Sequence, residues 1–188
     1  DVQNFLQQSH PQLQLAIFDA WRPLSVQLFM IEHSIDSECT ARGISRSDPS
    51  EYSNVQNIKS LVERFWAPAS NDISMPPTHS TGAAVDLTFS DLLGNQINMG
   101  GDIDEISDRS IPNYYSKLLD TDPENKTYKN WDRGRALLKC VMKKYDFAQH
   151  PNEWWHFSFG DQMWAWSRSV EVANYGLWIP SLNNSLMS

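Results

Sequence analysis

The sequence is poor in cysteine and in basic residues, and it lacks any long apolar run. Its two cysteines, Cys39 and Cys140, are too few and too far apart for a disulfide framework or a zinc finger. No segment approaches the roughly 20 apolar residues that span a bilayer, and no secretory signal opens the chain. We therefore expect no membrane partner and a cytoplasmic location. Because the sequence begins at Asp1 without an initiator Met, an upstream signal and a periplasmic location stay open.

The charge balance excludes another class of partner. Fifteen Lys and Arg stand against 23 Asp and Glu, so the formal net charge is -8. Such a chain repels the phosphates of nucleic acids, and we expect no nucleic-acid partner. The sequence also lacks Gly-rich phosphate loops and internal repeats, which leaves nucleotide-binding and solenoid folds without support.

A length of 188 residues fits one globular domain, which we assign to residues 1–188 with a C-terminal tail over 170–188. Strand and helix patterns follow one another without the regular alternation of a doubly wound sheet. We therefore predict an α+β fold, with a small, mostly antiparallel sheet flanked by helices. The predicted strands cover residues 13–19, 84–89 and 154–159, and the predicted helices cover residues 23–33, 52–66, 130–145 and 161–169.

Several local features refine this prediction. In the first predicted helix, Val26, Phe29, Met30 and His33 recur at helical spacing and indicate a buried face. Asn130 is the candidate cap of the third helix. Residues 39–50 are predicted to form a loop, a turn is predicted at residues 94–95, and residues 181–188 are predicted to fray.

Three residues have the chemistry of a metal site. His79 lies in a loop bounded by prolines, and Asp86 follows seven residues later on a predicted strand. Gly82 lets that loop turn onto the strand, so the two side chains can converge. His156 comes from the aromatic strand near the far end of the chain. Two imidazoles and one carboxylate leave the fourth position of a catalytic zinc ion open for water.

A catalytic zinc site also needs a base, and Glu153 is the candidate. Residues three apart in a strand point to opposite faces, so Glu153 can reach the site of His156 only if the chain bends near Pro151. A helical segment would place both on one face without a bend.

Each of these residues also has an ordinary structural explanation. His79 alone is more often a solvated loop residue, and Asp86 alone could be a hydrogen-bonding acid. Arg22 could be a surface arginine, although it follows a buried strand directly, where sites are usually assembled. His10 and His150 precede prolines and are predicted to be loop residues.

Four sequence blocks resemble, in order, the motifs of the zinc D-Ala-D-Ala peptidases. The run HSTGAAVD at residues 79–86 resembles H-x-x-G-x-A-x-D, and EWWH at 153–156 resembles E-x-x-H. DAWRP at 19–23 resembles D-x-x-R-P, and MGGDID at 99–104 resembles M-G-x-x-F-D. The EWWH and D-x-x-R-P forms are similar to the D-alanyl-D-alanine dipeptidases of the VanX type rather than to the carboxypeptidases.

The resemblance implies a role for each matching residue. It implies one Zn2+ per chain, bound at the sheet. It also implies that a general base and a positively charged residue, which stabilises the oxyanion, lie beside the ion. It further implies a pocket for the substrate's ammonium group. The implied zinc ligands are His79, Asp86 and His156, the base is Glu153, the oxyanion residue is Arg22, and the ammonium is held by Asp104 with Asp19 nearby.

The resemblance implies a zinc dipeptidase whose partner is a small dipeptide, D-Ala-D-Ala; it says nothing of oligomeric state. The chain departs from the family pattern at Pro77, where the family usually has Ser, and it starts after the family's N-terminal segment. Two alternatives stay open. One is a D,D-carboxypeptidase or L,D-peptidase that acts on peptidoglycan stem peptides, and the other is a zinc-stabilised binding module without turnover.

Overall fold

The computed structural model describes residues 1–70, 72 and 74–179. Within these residues the chain forms helices and strands in mixed order. The helices are α1 (Val2–Ser9), α2 (Leu24–Ala41), α3 (Tyr52–Val62), α4 (Tyr114–Leu119), α5 (Lys126–Lys144) and α6 (Gln162–Arg168). The strands are β1 (Gln14–Asp19), β2 (Ala84–Ser90), β3 (Ala148–Gln149) and β4 (His156–Ser158).

The four strands form one sheet in the order β1-β2-β4-β3. Every pair of neighbours is antiparallel, so the predicted α+β class and the small antiparallel sheet are confirmed. Asp19 at the end of β1 pairs with Asp86 of β2, and Asp86 pairs with His156 of β4. This register aligns polar residues from three strands at one end of the sheet.

The two faces of the sheet have different chemistry because side chains alternate along a strand. Leu87 and Phe89 of β2 and Phe157 of β4 are buried against α1 and α5. Asp86 and its paired neighbour His156 lie on the opposite face of the sheet. The main core cluster consists of Leu6, Leu87, Phe89, Met99, Leu138, Val141, Met142, Trp154, Trp155 and Phe157.

A second apolar cluster holds α2 and α3 together. It confirms the second predicted helix, because Val55, Ile58 and Val62 form a buried apolar stripe on α3. The helix ends at Val62 rather than at residue 66, and Trp66 packs into the cluster from the loop that follows. Trp66 is thereby placed next to the polar end of the sheet.

The predicted buried face of α2 is wrong for three of its four residues, since only Met30 of the four packs against the second apolar cluster. Val26 and Phe29 are 41% and 67% exposed, and His33 is an exposed residue whose ring stacks on Phe29. Gln27 is buried instead, because its Oε1 accepts a hydrogen bond from Arg22 Nη1. The inward side of this helix consists of Gln27, Ile35 and Cys39, and the last two belong to the second apolar cluster.

The structure moves several predicted boundaries. Asn125, not Asn130, caps α5: its side chain accepts a hydrogen bond from the backbone N–H of Tyr128. α2 continues to Ala41, into the segment predicted as loop, and β4 starts at residue 156 rather than 154. α6 lies within the predicted final helix.

Two helices and one strand have no counterpart in the sequence prediction. α1 buries only Leu6 fully, although Val2 and Phe5 also pack against the main core cluster, and α4 buries only Tyr115. β3 has only two residues and is stabilised by its pairing with β4. These elements depend on tertiary contacts more than on local pattern.

The first part of the tail packs against the domain. The backbone N–H of Trp178 donates to the carbonyl of Ser80, and the Trp178 ring makes an edge contact with Trp21. The segment predicted to fray, residues 181–188, lies outside the described residues. The assignment of residues 1–188 to one domain stays a prediction.

The length and hydropathy of the helices bear on membrane insertion. Within the described part of the chain, no helix has both the length and the apolar character that crossing a membrane requires.

Candidate metal and catalytic site

One row of residues crosses the polar end of the sheet. Asp19, Asp86 and His156 are paired neighbours on β1, β2 and β4. His150 directly follows β3, and its backbone N–H donates to the carbonyl of His156 at 3.0 Å. The row therefore runs from the β1 edge to the β3 edge, with Asp86 and His156 in the middle.

His79 reaches this row from a short 3-10 turn, Thr78–Thr81, that leads into β2. Gly82 ends the turn with φ of 75°, a left-handed conformation that glycine adopts without strain. His79 Nδ1 lies 2.7 Å from the carbonyl oxygen of Ala20. A carbonyl can only accept, so Nδ1 carries the hydrogen and Nε2 of the neutral ring presents a lone pair.

His156 directs Nδ1, rather than Nε2, toward Nε2 of His79 and the carboxylate of Asp86. Its Nε2 lies 3.3 Å from the hydroxyl of Ser158, which can accept the ring hydrogen. That hydrogen bond leaves Nδ1 with a free lone pair. Histidines that ligate metals are usually oriented by such a contact on the far nitrogen.

The candidate ligand atoms of these three residues lie close together. His79 Nε2 is 3.1 Å from His156 Nδ1 and 3.1 Å from Asp86 Oδ2, and His156 Nδ1 is 3.0 Å from Asp86 Oδ1. Ligand atoms about 2.0–2.1 Å from a tetrahedral zinc ion are about 3.3 Å apart. The cluster needs only a slight expansion to hold an ion.

The hydrogen bonding of Asp86 also supports the fit of a metal ion to this cluster. Asp86 is 2% exposed, and its Oδ1 has no hydrogen-bond partner among the described residues although His156 Nδ1 lies 3.0 Å away. Burial would raise the pKa of Asp86, but its contacts with His156 and His79 outweigh this and hold the pKa below its usual value. A buried anion with a vacant oxygen beside two imidazole lone pairs could hold a metal ion.

Glu153 reaches the cluster because the chain bends. β4 begins only at His156, and the backbone N–H of Trp154 donates to the carbonyl of Ser110, so residues 151–155 form turns instead of a strand. The bend that the sequence required is present, and Glu153 Oε2 lies 3.6 Å from His156 Nδ1. Burial, followed by the charges of Asp86 and Asp104, raises the pKa of Glu153 well above its usual value.

Arg22 is held rigidly on the β1 side of the row. Its Nε donates to Asp19 Oδ2 at 2.8 Å and its Nη1 donates to Gln27 Oε1 at 2.8 Å, while Nη2 lies 3.7 Å from Asp86 Oδ2. Its guanidinium carbon sits 5.0 Å from the centre of the Trp66 ring. Arg22 is 3% exposed, so it is not a surface arginine.

Asp104 lines the same cavity from the loop after β2. Its backbone has φ of 65°, an uncommon left-handed conformation for a residue other than glycine. Burial raises the pKa of Asp104 to about 6, and the negative charge of Asp86 acts in the same direction while Arg22 opposes it. The structure thus brings Asp104 to the site, whereas Asp19 is bound to Arg22.

This cavity has a volume of about 110 Å³, and its lining also includes Trp66 and His150, for which the sequence predicted no functional role. The His150 ring centre is 5.4 Å from that of His156. Burial, helped by the nearby imidazole of His156, lowers the pKa of His150 to about 3. Its position three residues before Glu153 is the only sequence signal that could have indicated it.

Known proteins are similar in sequence to this chain. The family described as D-ala-D-ala dipeptidase matches residues 1–174. A D-alanyl-D-alanine dipeptidase from Synechocystis sp. is 43% identical over 173 residues, which cover 88% of this chain and 70% of that protein. A D-alanyl-D-alanine dipeptidase from Escherichia coli is 28% identical over 145 residues, which cover 77% of this chain and 54% of that protein. The resemblance of the four sequence blocks is therefore confirmed, and the chain belongs to the D-Ala-D-Ala dipeptidase family of peptidases.

Proposed function

We propose that this protein is a zinc-dependent dipeptidase that hydrolyses D-Ala-D-Ala. The observation that carries the proposal is the convergence of two imidazole lone pairs and a buried carboxylate, with a second buried carboxylate 3.6 Å away. Catalytic zinc sites have three protein ligands and a base close by. Family membership and the names of the two relatives support the same substrate.

His79, Asp86 and His156 would hold the metal. Zinc supplies Lewis acidity, which polarises a carbonyl oxygen and makes water a better nucleophile near neutral pH. Ala20 and Ser158 orient the two imidazoles from behind, so their ligand nitrogens are fixed before the ion arrives.

Glu153 accepts and then donates the proton in this reaction. We assign to Oε2 the proton released when water attacks the peptide carbonyl, and Oε2 then delivers it to the nitrogen of the leaving D-Ala. The raised pKa suits the first of these steps, because a carboxylate that binds a proton more tightly is the better acceptor from water. Its burial also restricts competing exchange of that proton with bulk water.

Arg22 opposes the negative charge that develops on the carbonyl oxygen. The guanidinium is fixed by Asp19 and Gln27, so it need not reorganise during the reaction. Asp19 thus has a positioning role, and its carboxylate also adds to the negative charge near Asp104.

We assign the substrate's ammonium group to Asp104, and this gives a measurable prediction. Asp104→Asn should raise KM for D-Ala-D-Ala about tenfold, because an amide cannot offer the charge-assisted hydrogen bond. Hydrolysis of N-acetyl-D-Ala-D-Ala, which lacks the ammonium, should change little. Steady-state kinetics on both substrates measure the difference. Asp102→Asn, at an exposed position two residues away, is the matched control. An equal loss on both substrates would refute the assignment.

The proposed function is tested by D-Ala release. The purified chain loaded with one equivalent of zinc should hydrolyse D-Ala-D-Ala, lose activity in a chelator and recover it when zinc is restored. Turnover that persists without metal would refute zinc dependence. A preference for N-acylated tripeptides over the free dipeptide would identify a carboxypeptidase instead, and stoichiometric zinc without turnover would identify a binding module.

A further inference from the structure

Asp104 lies in a long irregular segment between β2 and α4. Within residues 99–111 the structure describes one short 3-10 turn, Asp108–Ser110, and otherwise only turns and bends. Asp104 has φ of 65°, a conformation that costs free energy and persists only where the surrounding structure enforces it. A carboxylate that recognises an ammonium group must also keep one position. Residues 99–111, here called the Asp104 loop, therefore need support from the rest of the fold.

Arg135 of α5 supplies this support. Its Nε donates a hydrogen bond to the carbonyl of Met99 at 2.8 Å, and its Nη1 donates to the carbonyl of Ile111 at 3.1 Å. Met99 and Ile111 are the first and last residues of the Asp104 loop, so one guanidinium group ties both ends of the loop to α5. The donors of a planar guanidinium cannot move independently, and the two loop ends are therefore held in one relative position.

The backbone of the loop also passes close to the third nitrogen of Arg135. A Cβ atom built on Gly101 would lie 3.3 Å from Arg135 Nη2 and 3.0 Å from Glu105 Oε2. The same Glu105 oxygen accepts a hydrogen bond from the backbone N–H of Asp102 at 3.1 Å. Arg135 and Glu105 thus both pack against Gly101, three residues before Asp104.

The environment of Arg135 is costly for a charged group. Arg135 is 2% exposed, its guanidinium carbon lies 4.8 Å from the ring centre of Tyr115 and 5.0 Å from that of Trp154, and its Nη2 has no hydrogen-bond partner among the described residues. Burial lowers the pKa of Arg135 to about 10, which still leaves the group positively charged at neutral pH. Apolar side chains of similar size are often at least as good for stability as a buried charge. The burial of this cation therefore indicates that it fixes a geometry as well as filling space.

Building on the proposed function, we propose that Arg135 is a positioning residue for recognition of the substrate's ammonium group. Arg135 lies outside the cavity lining and acts through the Asp104 loop, whose two ends it holds. It thereby fixes the Asp104 carboxylate at the place where the ammonium binds.

The contacts of Arg135 show how this role is separated from a general one. Arg135 also packs on Trp154, the residue after Glu153, so a substitution can lower turnover by a second route. Disturbance of Glu153 affects every substrate alike. Loss of the Asp104 position affects only substrates with a free ammonium group, and a ratio between two substrates therefore isolates it.

The proposal is tested by the ratio of kcat/KM for D-Ala-D-Ala to kcat/KM for N-acetyl-D-Ala-D-Ala on the zinc-loaded chain. Arg135→Lys keeps the charge but cannot hold both carbonyls in the same geometry, so it should lower this ratio about fivefold. Gly101→Ala, which adds a Cβ atom against Arg135 and Glu105, should lower the ratio as well. Two controls should keep the parental ratio: Arg133→Lys, at an exposed arginine of the same helix, and Gly176→Ala, where an added Cβ meets no atom within 4 Å.

A double variant shows whether Arg135 acts through Asp104. Asp104→Asn alone should lower the ratio about tenfold, and adding Arg135→Lys should lower it by less than about twofold more, because the group that Arg135 positions is already lost. Two independent effects would instead multiply to about 50-fold. A parental ratio in Arg135→Lys, including equal losses on both substrates, or a fully multiplied loss in the double variant, would show that the proposal is wrong.

Calorimetric Kd values of the two peptides give the same comparison without turnover. If thermal unfolding shows that Arg135→Lys does not fold, Gly101→Ala with and without Asp104→Asn decides. If the parent protein hydrolyses neither peptide, but Arg135→Lys weakens binding of the free dipeptide alone, the proposed function fails and the role of Arg135 stands. If Asp104→Asn leaves the ratio unchanged, the ammonium assignment and the role of Arg135 are both wrong.

Discussion

Replacing Glu153 by Gln is expected to lower kcat for D-Ala-D-Ala about 10³-fold, within the range that general acid-base groups contribute. The amide keeps the shape and the burial of the side chain but cannot take a proton from water. KM should change little, because Glu153 acts on the proton and we assign the substrate's ammonium group to Asp104. Rates of D-Ala release under saturating substrate measure this effect directly.

The zinc content of Glu153→Gln should stay at about one ion per chain, since the ligands proposed are His79, Asp86 and His156. Glu124→Gln, at a side chain that is 90% exposed, is the matched control and should retain full kcat. If Glu153→Gln kept more than about a tenth of the parental kcat, another group would have to move the proton and the mechanism proposed above would be wrong.

Replacing His79 by Ala is expected to weaken zinc binding more than about 100-fold, because the change removes a ligand outright and exceeds the effect of a lost orienting contact. Activity should fall with the metal. The remaining cluster would keep Asp86 and His156, two ligands where catalytic zinc requires three. Metal analysis after dialysis, together with titration of the metal-free protein by calorimetry, checks this prediction.

His33→Ala supplies the control for a lost histidine, because His33 is exposed on α2 and stacks only on Phe29 among the described aromatic rings. It should bind zinc as the parent does. Undiminished zinc binding in His79→Ala would show that the metal lies elsewhere. Thermal unfolding of both metal-free variants shows whether the substitution has disturbed the fold.

The sequence predicted the convergence of His79, Asp86 and His156 because these residues occupy regular positions. Asp86 lies on a strand with a clear alternating pattern, and a turn that ends at Gly82 delivers His79 to it. His156 follows from the adjacent strand. Strand periodicity alone would place the side chain of Glu153 on the face opposite to that of His156. The bend before β4 brings the two side chains to the same side.

Other parts of the site depend on tertiary contacts that have no local pattern. Gln27 lies on the buried side of α2, where Arg22 binds it, whereas Val26 and Phe29 of the face that apolar periodicity predicted are exposed. Trp66 and His150 come from loops far apart in sequence, and a hydrogen bond from Asn152 links their segments. Apolar spacing cannot reveal such polar connections, since each is specific to one pair of residues.

Anomalous diffraction at the zinc edge, from crystals grown with one equivalent of zinc, tests the central claim most directly. We predict one strong peak about 2.0–2.2 Å from His79 Nε2, from a carboxylate oxygen of Asp86 and from His156 Nδ1. Glu153 should lie beside the ion without being one of these three ligands. A zinc ion held by a different set of residues, or no zinc at this cluster, would contradict the account.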